Sequence, residues 1–121
     1  MALNNNKIES YLKKYIVSFI SWDIVAFFAH NRGVYDTAEG IARRLGRKTE
    51  EVEKELDYLA KISFLNRKQT ESGIVYSLAP LPENEKFLEE FVARMENRIF
   101  RLNLISQVLK KRAGAGENSN L

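Results

Sequence analysis

The stretch Thr37-Ala-Glu-Gly-Ile-Ala-Arg-Arg-Leu-Gly46 carries the local signals that decide the fold. Thr37 is a good helix N-cap, and Gly46 is a typical helix end because glycine adopts the left-handed conformation just beyond a C-terminus. Between them, small and aliphatic residues recur at the spacing of one helix face: Ala38, Ile41, Ala42 and Leu45. The stretch therefore predicts a short amphipathic helix with a defined start and stop.

A second helix and a hairpin follow directly. Thr49 is the predicted cap of a helix that ends near Ile62 and buries Val52, Leu56 and Leu59. Residues 64–68 and 74–78 then read as two strands, the second with a period of two, and residues 69–73 lie between them. The sequence predicts a helix-turn-helix over residues 37–62 and a hairpin over residues 63–79, with a further short strand at Val34-Tyr35.

Long helices flank this centre. The apolar residues of 8–20 have the spacing of one helix face. Those between Trp22 and Phe28 point all round the helix axis. Ser21 could cap a new helix or lie within one continuous helix, and the pattern leaves both open. After Pro80 and Pro82 we predict a single helix over 83–112, followed by a disordered tail at 113–121, rich in Gly, Asn and Ser.

Composition limits the class of protein. The 121 residues suit one domain, here 1–112, and 45% hydrophobic with 29% charged residues is typical of a globular chain. The absence of cysteine excludes disulfides and thiolate metal sites. The segment 15–29 is too short to span a bilayer and contains Asp23, and residues 1–7 lack a secretory signal. We expect a cytoplasmic protein that does not contact a membrane.

No pattern in the sequence indicates an enzyme. His30 is the one histidine of the chain, and no glycine-rich phosphate loop or nucleophile elbow is present. Acid pairs such as Glu50-Glu51 are adjacent, so on a helix they point about 100° apart and share no centre. We expect no catalytic residue, no metal and no cofactor.

The order of helix, short strand, helix, turn, helix and hairpin resembles the winged helix-turn-helix superfamily. Residues 37–46, 49–59, 64–67 and 76–78 are similar to the corresponding stretches of small MarR-like and ArsR-like transcriptional regulators. Ala42, Gly46 and Val52 stand where those regulators have a small residue, a turn glycine and a buried β-branched residue. The resemblance implies a mainly α fold with a small β-hairpin wing and long N- and C-terminal helices.

The resemblance also implies a function. Winged-helix regulators bind double-stranded DNA through the second helix of the pair and the wing, so we expect a DNA-binding transcriptional regulator. The candidate DNA-binding residues of the helix pair are Arg43, Arg44, Arg47, Lys48, Thr49 and Lys54. Those of the wing are Arg67, Lys68 and Thr70.

The charge of the second helix supports a different interpretation. Residues 49–62 contain five acids and two lysines, a net charge of −3, which opposes approach to phosphate. The chain is also similar to the N-terminal dimerisation domain of small-molecule O-methyltransferases, which uses this fold for subunit contact. The alternative is therefore a non-enzymatic interaction module that does not bind DNA and contacts another protein through the acidic helix 49–62.

Self-association is the remaining expectation. One broad apolar face of the predicted helix 83–112, from Phe87 to Leu109, is expected to pack on the domain. A separate stripe on the far side of that helix and the apolar stretch near residue 22 are left to form the interface of a homodimer. The candidate interface residues are Trp22, Phe27, Phe28, Phe100, Leu104 and Val108.

Overall fold

A computed structural model describes the backbone of residues 5–119 and the side chains of residues 5–112. Six helices lie within this range: α1 (Asn5–Tyr15), α2 (Phe19–His30), α3 (Ala38–Leu45), α4 (Thr49–Lys61), α5 (Pro82–Met95) and α6 (Arg98–Ser119). Three strands lie within it: β1 (Tyr35–Thr37), β2 (Leu65–Thr70) and β3 (Gly73–Leu78). The prediction of a mainly helical fold with a small hairpin is confirmed.

The strands form one antiparallel sheet in the order β1-β3-β2. β2 and β3 are the predicted hairpin, with Leu65 opposite Leu78 and Thr70 opposite Gly73. β1 pairs with the other edge of β3, where Tyr35 lies opposite Ser77. The sheet thus joins the segment before α3 to the hairpin after α4.

The two ends of α3 have the predicted capping residues, but the start of α4 does not. The Thr37 hydroxyl accepts a hydrogen bond from the Gly40 amide at 3.2 Å, and Gly46 adopts a φ of 68° at the end of α3. Thr49, however, is the first residue of α4, and Lys48 occupies the N-cap position without a side-chain cap. The prediction that Thr49 caps α4 is wrong by one position.

The chain breaks between α1 and α2, and the cap there is Ser18. The Ser18 hydroxyl accepts from the Ser21 amide at 2.9 Å, and the Ser21 hydroxyl accepts from the Ser18 amide at 3.0 Å, which is a reciprocal capping box. Ser21 is therefore the third residue of α2 rather than its cap. The α1–α2 region is two helices.

A buried amide connects distant parts of the core. Asn84 at the start of α5 is fully buried, and its side chain accepts a hydrogen bond from the Tyr15 hydroxyl at 3.1 Å. The same side chain donates to the carbonyls of Ser63 and Ala79, both at 3.1 Å, which precede and follow the hairpin. Burial is the main cause that raises the pKa of Tyr15 from 10.0 to about 12, and the nearby Tyr11 and Glu83 add to the effect.

The predicted single helix over 83–112 is instead two helices, α5 and α6. α5 ends at Met95, and the Asn97 side chain accepts a hydrogen bond from the Phe100 amide at 3.0 Å, which caps the start of α6. The bounds of α6 extend to Ser119, past the predicted end at 112. The side chains of the predicted tail, 113–121, lie outside the described residues.

The break changes which face of α6 is buried. Leu104 and Val108 are 3% and 0% exposed, whereas Ile99, Leu102, Ile105 and Leu109 are 69%, 53%, 36% and 51% exposed. The expectation that the face containing Leu102 packs on the domain and that Leu104 and Val108 form an outer stripe is therefore wrong. The two residues between α5 and α6 reorient the second helix, so the buried face of α5 does not continue into it.

Candidate functional site

The nine residues predicted to bind DNA lie on α3, α4 and β2 and on the turn between the two helices. Arg43 and Arg44 are in the last turn of α3, and Arg47 and Lys48 follow in the turn to α4. Thr49 and Lys54 belong to α4, and the remaining three residues, Arg67, Lys68 and Thr70, belong to β2. All except Arg47, Thr49 and Thr70 are exposed. The structure therefore places most of the set on the surface of the helix pair and the hairpin.

Arg67 of the hairpin folds back onto α4. Its Nε donates to Asp57 Oδ1 at 3.0 Å, and the buried Tyr76 hydroxyl donates a short hydrogen bond to the same oxygen. Burial and this bond raise the pKa of Tyr76 to about 12, and the hydrogen bonds of Arg67 with Tyr76 and Asp57 raise the pKa of Arg67. The cluster ties β2 and β3 to α4.

The other arginines also have partners within the chain. Arg47 Nε donates to Asp23 Oδ2 of α2 at 2.7 Å, and Arg43 pairs with Glu39 one turn earlier in α3 at 3.1 Å. The Arg44 guanidinium lies 5.9 Å from the centre of the Phe27 ring. Exposed ion pairs contribute about 0.2–1 kcal/mol, so a phosphate could replace Glu39 as the partner of Arg43 at small cost.

The lysines of the set differ from the arginines. Lys48, Lys54 and Lys68 are exposed, and none of them forms an ion pair with another described residue. Lys48 stands at the start of α4, and Lys68 stands next to Arg67 on β2. These three ammonium groups can meet a phosphate without first breaking a salt bridge.

Thr70 serves the turn of the hairpin. Its hydroxyl donates to the Gly73 carbonyl at 2.8 Å and accepts from the Ser72 amide at 3.1 Å. The hydroxyl is thus engaged in holding the turn between β2 and β3. A DNA contact through Thr70 would need these bonds to open.

The acids of α4 fall into two groups. Glu55 accepts from the Ser18 hydroxyl at 2.9 Å, and Asp57 is held by Arg67, so both have roles within the fold. Glu50, Glu51 and Glu53 are exposed. We call these three residues the acidic face of α4. It lies on the same helix as Lys54, so the surface expected to meet DNA carries charges of both signs.

The six residues predicted for the dimer interface do not form an exposed surface. Phe28, Leu104 and Val108 belong to the core of the single chain, and Trp22, Phe27 and Phe100 are half-buried against it. The large apolar residues that α6 exposes are instead Ile99, Leu102, Ile105 and Leu109. We call these four residues the outer face of α6. The signal that could have located it was Asn97, a capping residue within an otherwise periodic run.

The described part of the chain also bears on two other features, a membrane span and a metal site. Residues 5–119 contain no helix long and apolar enough to cross a membrane. The described side chains include no group of three or more His, Cys, Asp and Glu residues that could hold a metal ion. His30 is exposed at the end of α2.

The chain matches neither a protein-family model nor a curated protein sequence.

Proposed function

We propose that this protein is a winged-helix DNA-binding regulator that acts as a homodimer. The observation that carries the proposal is the placement of exposed, unpaired lysines on both sides of the candidate site: Lys48 where α4 begins and Lys68 on the hairpin. The order β1, α3, α4, β2, β3 supports a winged-helix fold, with β2 and β3 as the wing. Phosphate contacts supply most of the affinity of such proteins, and these lysines are suited to make them.

The arrangement suggests how a duplex would be contacted. The start of α4, with Thr49 and Lys54, would approach the major groove, and Lys68 would reach a neighbouring phosphate from the wing. Arg43 could exchange its carboxylate partner for a phosphate, because its ion pair with Glu39 is exposed and such pairs are weak. The acidic face of α4 opposes this approach, so we expect modest affinity that falls steeply with salt.

A titration of labelled duplexes tests the proposal. The duplexes include the DNA that flanks the gene, and each is measured at low and at high salt. Lys48→Ala and Lys68→Ala should each weaken binding and reduce the salt slope by about 1, since each variant removes one phosphate contact. Lys86→Ala is the matched control, because Lys86 is an exposed lysine of α5 away from the site. Absence of binding to every duplex at low salt would reject the regulator function.

A second candidate function is an interaction module that does not bind DNA. The specific observation in its favour is the acidic face of α4, together with the pairing of Arg43, Arg47 and Arg67 to carboxylates of the chain. A basic surface of another protein would complement Glu50, Glu51 and Glu53.

The variant Glu50→Gln/Glu53→Gln separates the two functions. For a regulator it should strengthen binding to unrelated duplexes, because it removes a repulsive charge near phosphate. If the protein is an interaction module, it should bind no duplex. A partner that the unmodified protein retains in a pull-down should then be lost by the variant.

A further inference from the structure

The strand β2 forms one edge of the sheet, and its outer side pairs with no other described strand. In the order β1-β3-β2 both outer strands have a free edge, but β1 has three residues and β2 has six. A short edge strand offers few hydrogen-bonding groups, whereas a long free edge can pair with another extended chain. The edge of β2 is therefore the part of this sheet best suited to bind a further strand.

The register of the hairpin shows which backbone groups point to this edge. The Phe64 carbonyl accepts a hydrogen bond from the Ala79 amide at 3.1 Å, and bonded and non-bonded pairs alternate along an antiparallel ladder. Counting from this pair, the residues of β2 that do not bond to β3 are Leu65, Arg67 and Gln69. Their N–H and C=O groups point away from the sheet, and no other described backbone group bonds to them. A strand laid along β2 would pair with these groups.

An open groove of about 630 Å³ lies beside the start of this edge. It is lined by the C-terminal part of α4, by the first residues of β2 and by residues 79–81. Leu81 is 36% exposed and offers the groove an apolar contact. In strand addition, main-chain hydrogen bonds supply affinity and pockets for alternate side chains supply specificity. The groove provides such a pocket next to the free backbone groups.

The charges around the edge favour an acidic occupant. Lys61 lines the groove and Lys68 lies on β2, and neither of these exposed lysines forms an ion pair with another described residue. Asp57 also lines the groove, but its carboxylate already accepts hydrogen bonds from Arg67 and from the Tyr76 hydroxyl. A second copy paired through β2 would bring the cations of both edges together, which is unfavourable.

We propose that the edge of β2 binds an extended acidic peptide of another protein, which adds a fourth strand to the sheet. The peptide backbone pairs with the outward groups of β2, an apolar side chain of the peptide contacts Leu81, and its acids meet Lys61 and Lys68. The inference goes beyond the proposed function and does not depend on DNA binding. It also differs from the second candidate function, in which a basic surface meets the acidic face of α4.

A library of short displayed peptides, selected on the full chain without DNA, supplies the probe. The selected peptides should alternate apolar residues with Asp or Glu, and their micromolar dissociation constants should rise with salt. On addition of a selected peptide, the amides of Leu65, Arg67 and Gln69 should become protected from hydrogen exchange. Methylation of alternate backbone nitrogens of that peptide should abolish binding, because an added strand needs those N–H groups.

Two variants of the protein locate the site. Gln69→Pro removes an N–H that faces away from β3, so the circular dichroism should not change, while peptide binding should weaken at least tenfold. Gln69→Ala is the matched control, because it keeps the N–H and should bind as the unmodified protein does. Lys61→Glu should also weaken binding at least tenfold, whereas Lys86→Glu should not, because Lys86 is an exposed lysine of α5 that does not line the groove.

Several results would overturn this site. They are a selection that yields no peptide or only basic peptides, and binding that backbone methylation, Gln69→Pro or Lys61→Glu leaves unchanged. A dimer that Gln69→Pro dissociates would assign the edge to a second copy instead. A protein that selects acidic peptides but binds no duplex would reject the regulator function alone. A protein that binds duplexes but selects no peptide would reject this site alone.

Discussion

At the scale of single residues, burial decides what each apolar side chain of α6 does. Leu102 and Leu104 are two positions apart, but Leu102 faces outward and Leu104 lies in the core. The same residue type therefore has two roles within one turn of the helix. The sequence alone assigned these roles the other way round, because both faces of α6 are apolar and periodicity does not say which face meets the domain.

Truncation of these two leucines should have different effects on stability. Leu104→Ala should lower the free energy of unfolding by about 2–5 kcal/mol, because it leaves a cavity in the core. Leu102→Ala should change it by less than about 0.5 kcal/mol at concentrations where the protein is monomeric. Urea unfolding at several protein concentrations measures both effects. A Leu104→Ala protein that unfolds like the unmodified monomer would contradict the buried position of this side chain.

Two buried tyrosines predict how stability depends on pH. Burial is the main cause that raises the pKa values of Tyr15 and Tyr76 from 10.0 to about 12. Below pH 10 both the folded and the unfolded chain keep their tyrosine protons, so the full stability of the fold is present. Above pH 10 the unfolded chain loses them first, so stability should fall until the folded chain also ionises near pH 12, by about 2 kcal/mol per tyrosine.

Urea unfolding at about pH 8 and about pH 11 measures this loss. Tyr15→Phe and Tyr76→Phe should each reduce the difference between the two pH values. Tyr35→Phe serves as the control, because Tyr35 is 56% exposed. An equal difference in all three variants would show that other groups cause the alkaline loss.

At the scale of elements, helices and strands marked by neighbouring residues in the sequence were predictable. Contacts between elements far apart in the sequence were not. The helix pair 37–62 and the hairpin follow from caps, a glycine turn and strand alternation within a few residues of one another. The break before α6 depends on Asn97 within a run whose helical periodicity continues on both sides. The pairing of Arg47 with Asp23 joins residues 24 apart, which local patterns do not report. The predicted cations were thus located correctly on their elements, but their partners were not predicted.

The capping box of α2 gives a prediction for this element. Ser18→Ala removes the cap of the Ser21 amide and the hydrogen bond to Glu55, so it should cost about 1–2 kcal/mol of stability. Ser10→Ala is the control, because Ser10 is an exposed residue within α1. The change in thermal midpoint of the two variants gives the comparison. Equal midpoints would mean that Ser18 does not cap α2 in solution.

At the scale of the whole molecule, the segment 113–121 is predicted to be dispensable. Gly, Asn and Ser dominate this segment and offer little apolar surface to bury. A protein that ends at residue 112 should keep its thermal midpoint within about 2 °C, since small surface changes alter stability little. A large drop in the midpoint would show that residues 113–121 pack on the domain.

The buried Asn84 side chain links the first helix to the last strands of the sheet. It binds the Tyr15 hydroxyl at the end of α1 and the carbonyls on both sides of the hairpin, residues that lie far apart in sequence. Release of α1 alone would leave the Asn84 Oδ1 without its donor, so local fraying of α1 near Tyr15 is unfavourable. The backbone amides of the last turn of α1 should therefore exchange their protons with solvent together with those of β3, as parts of one cooperative unit that opens only when the whole domain unfolds.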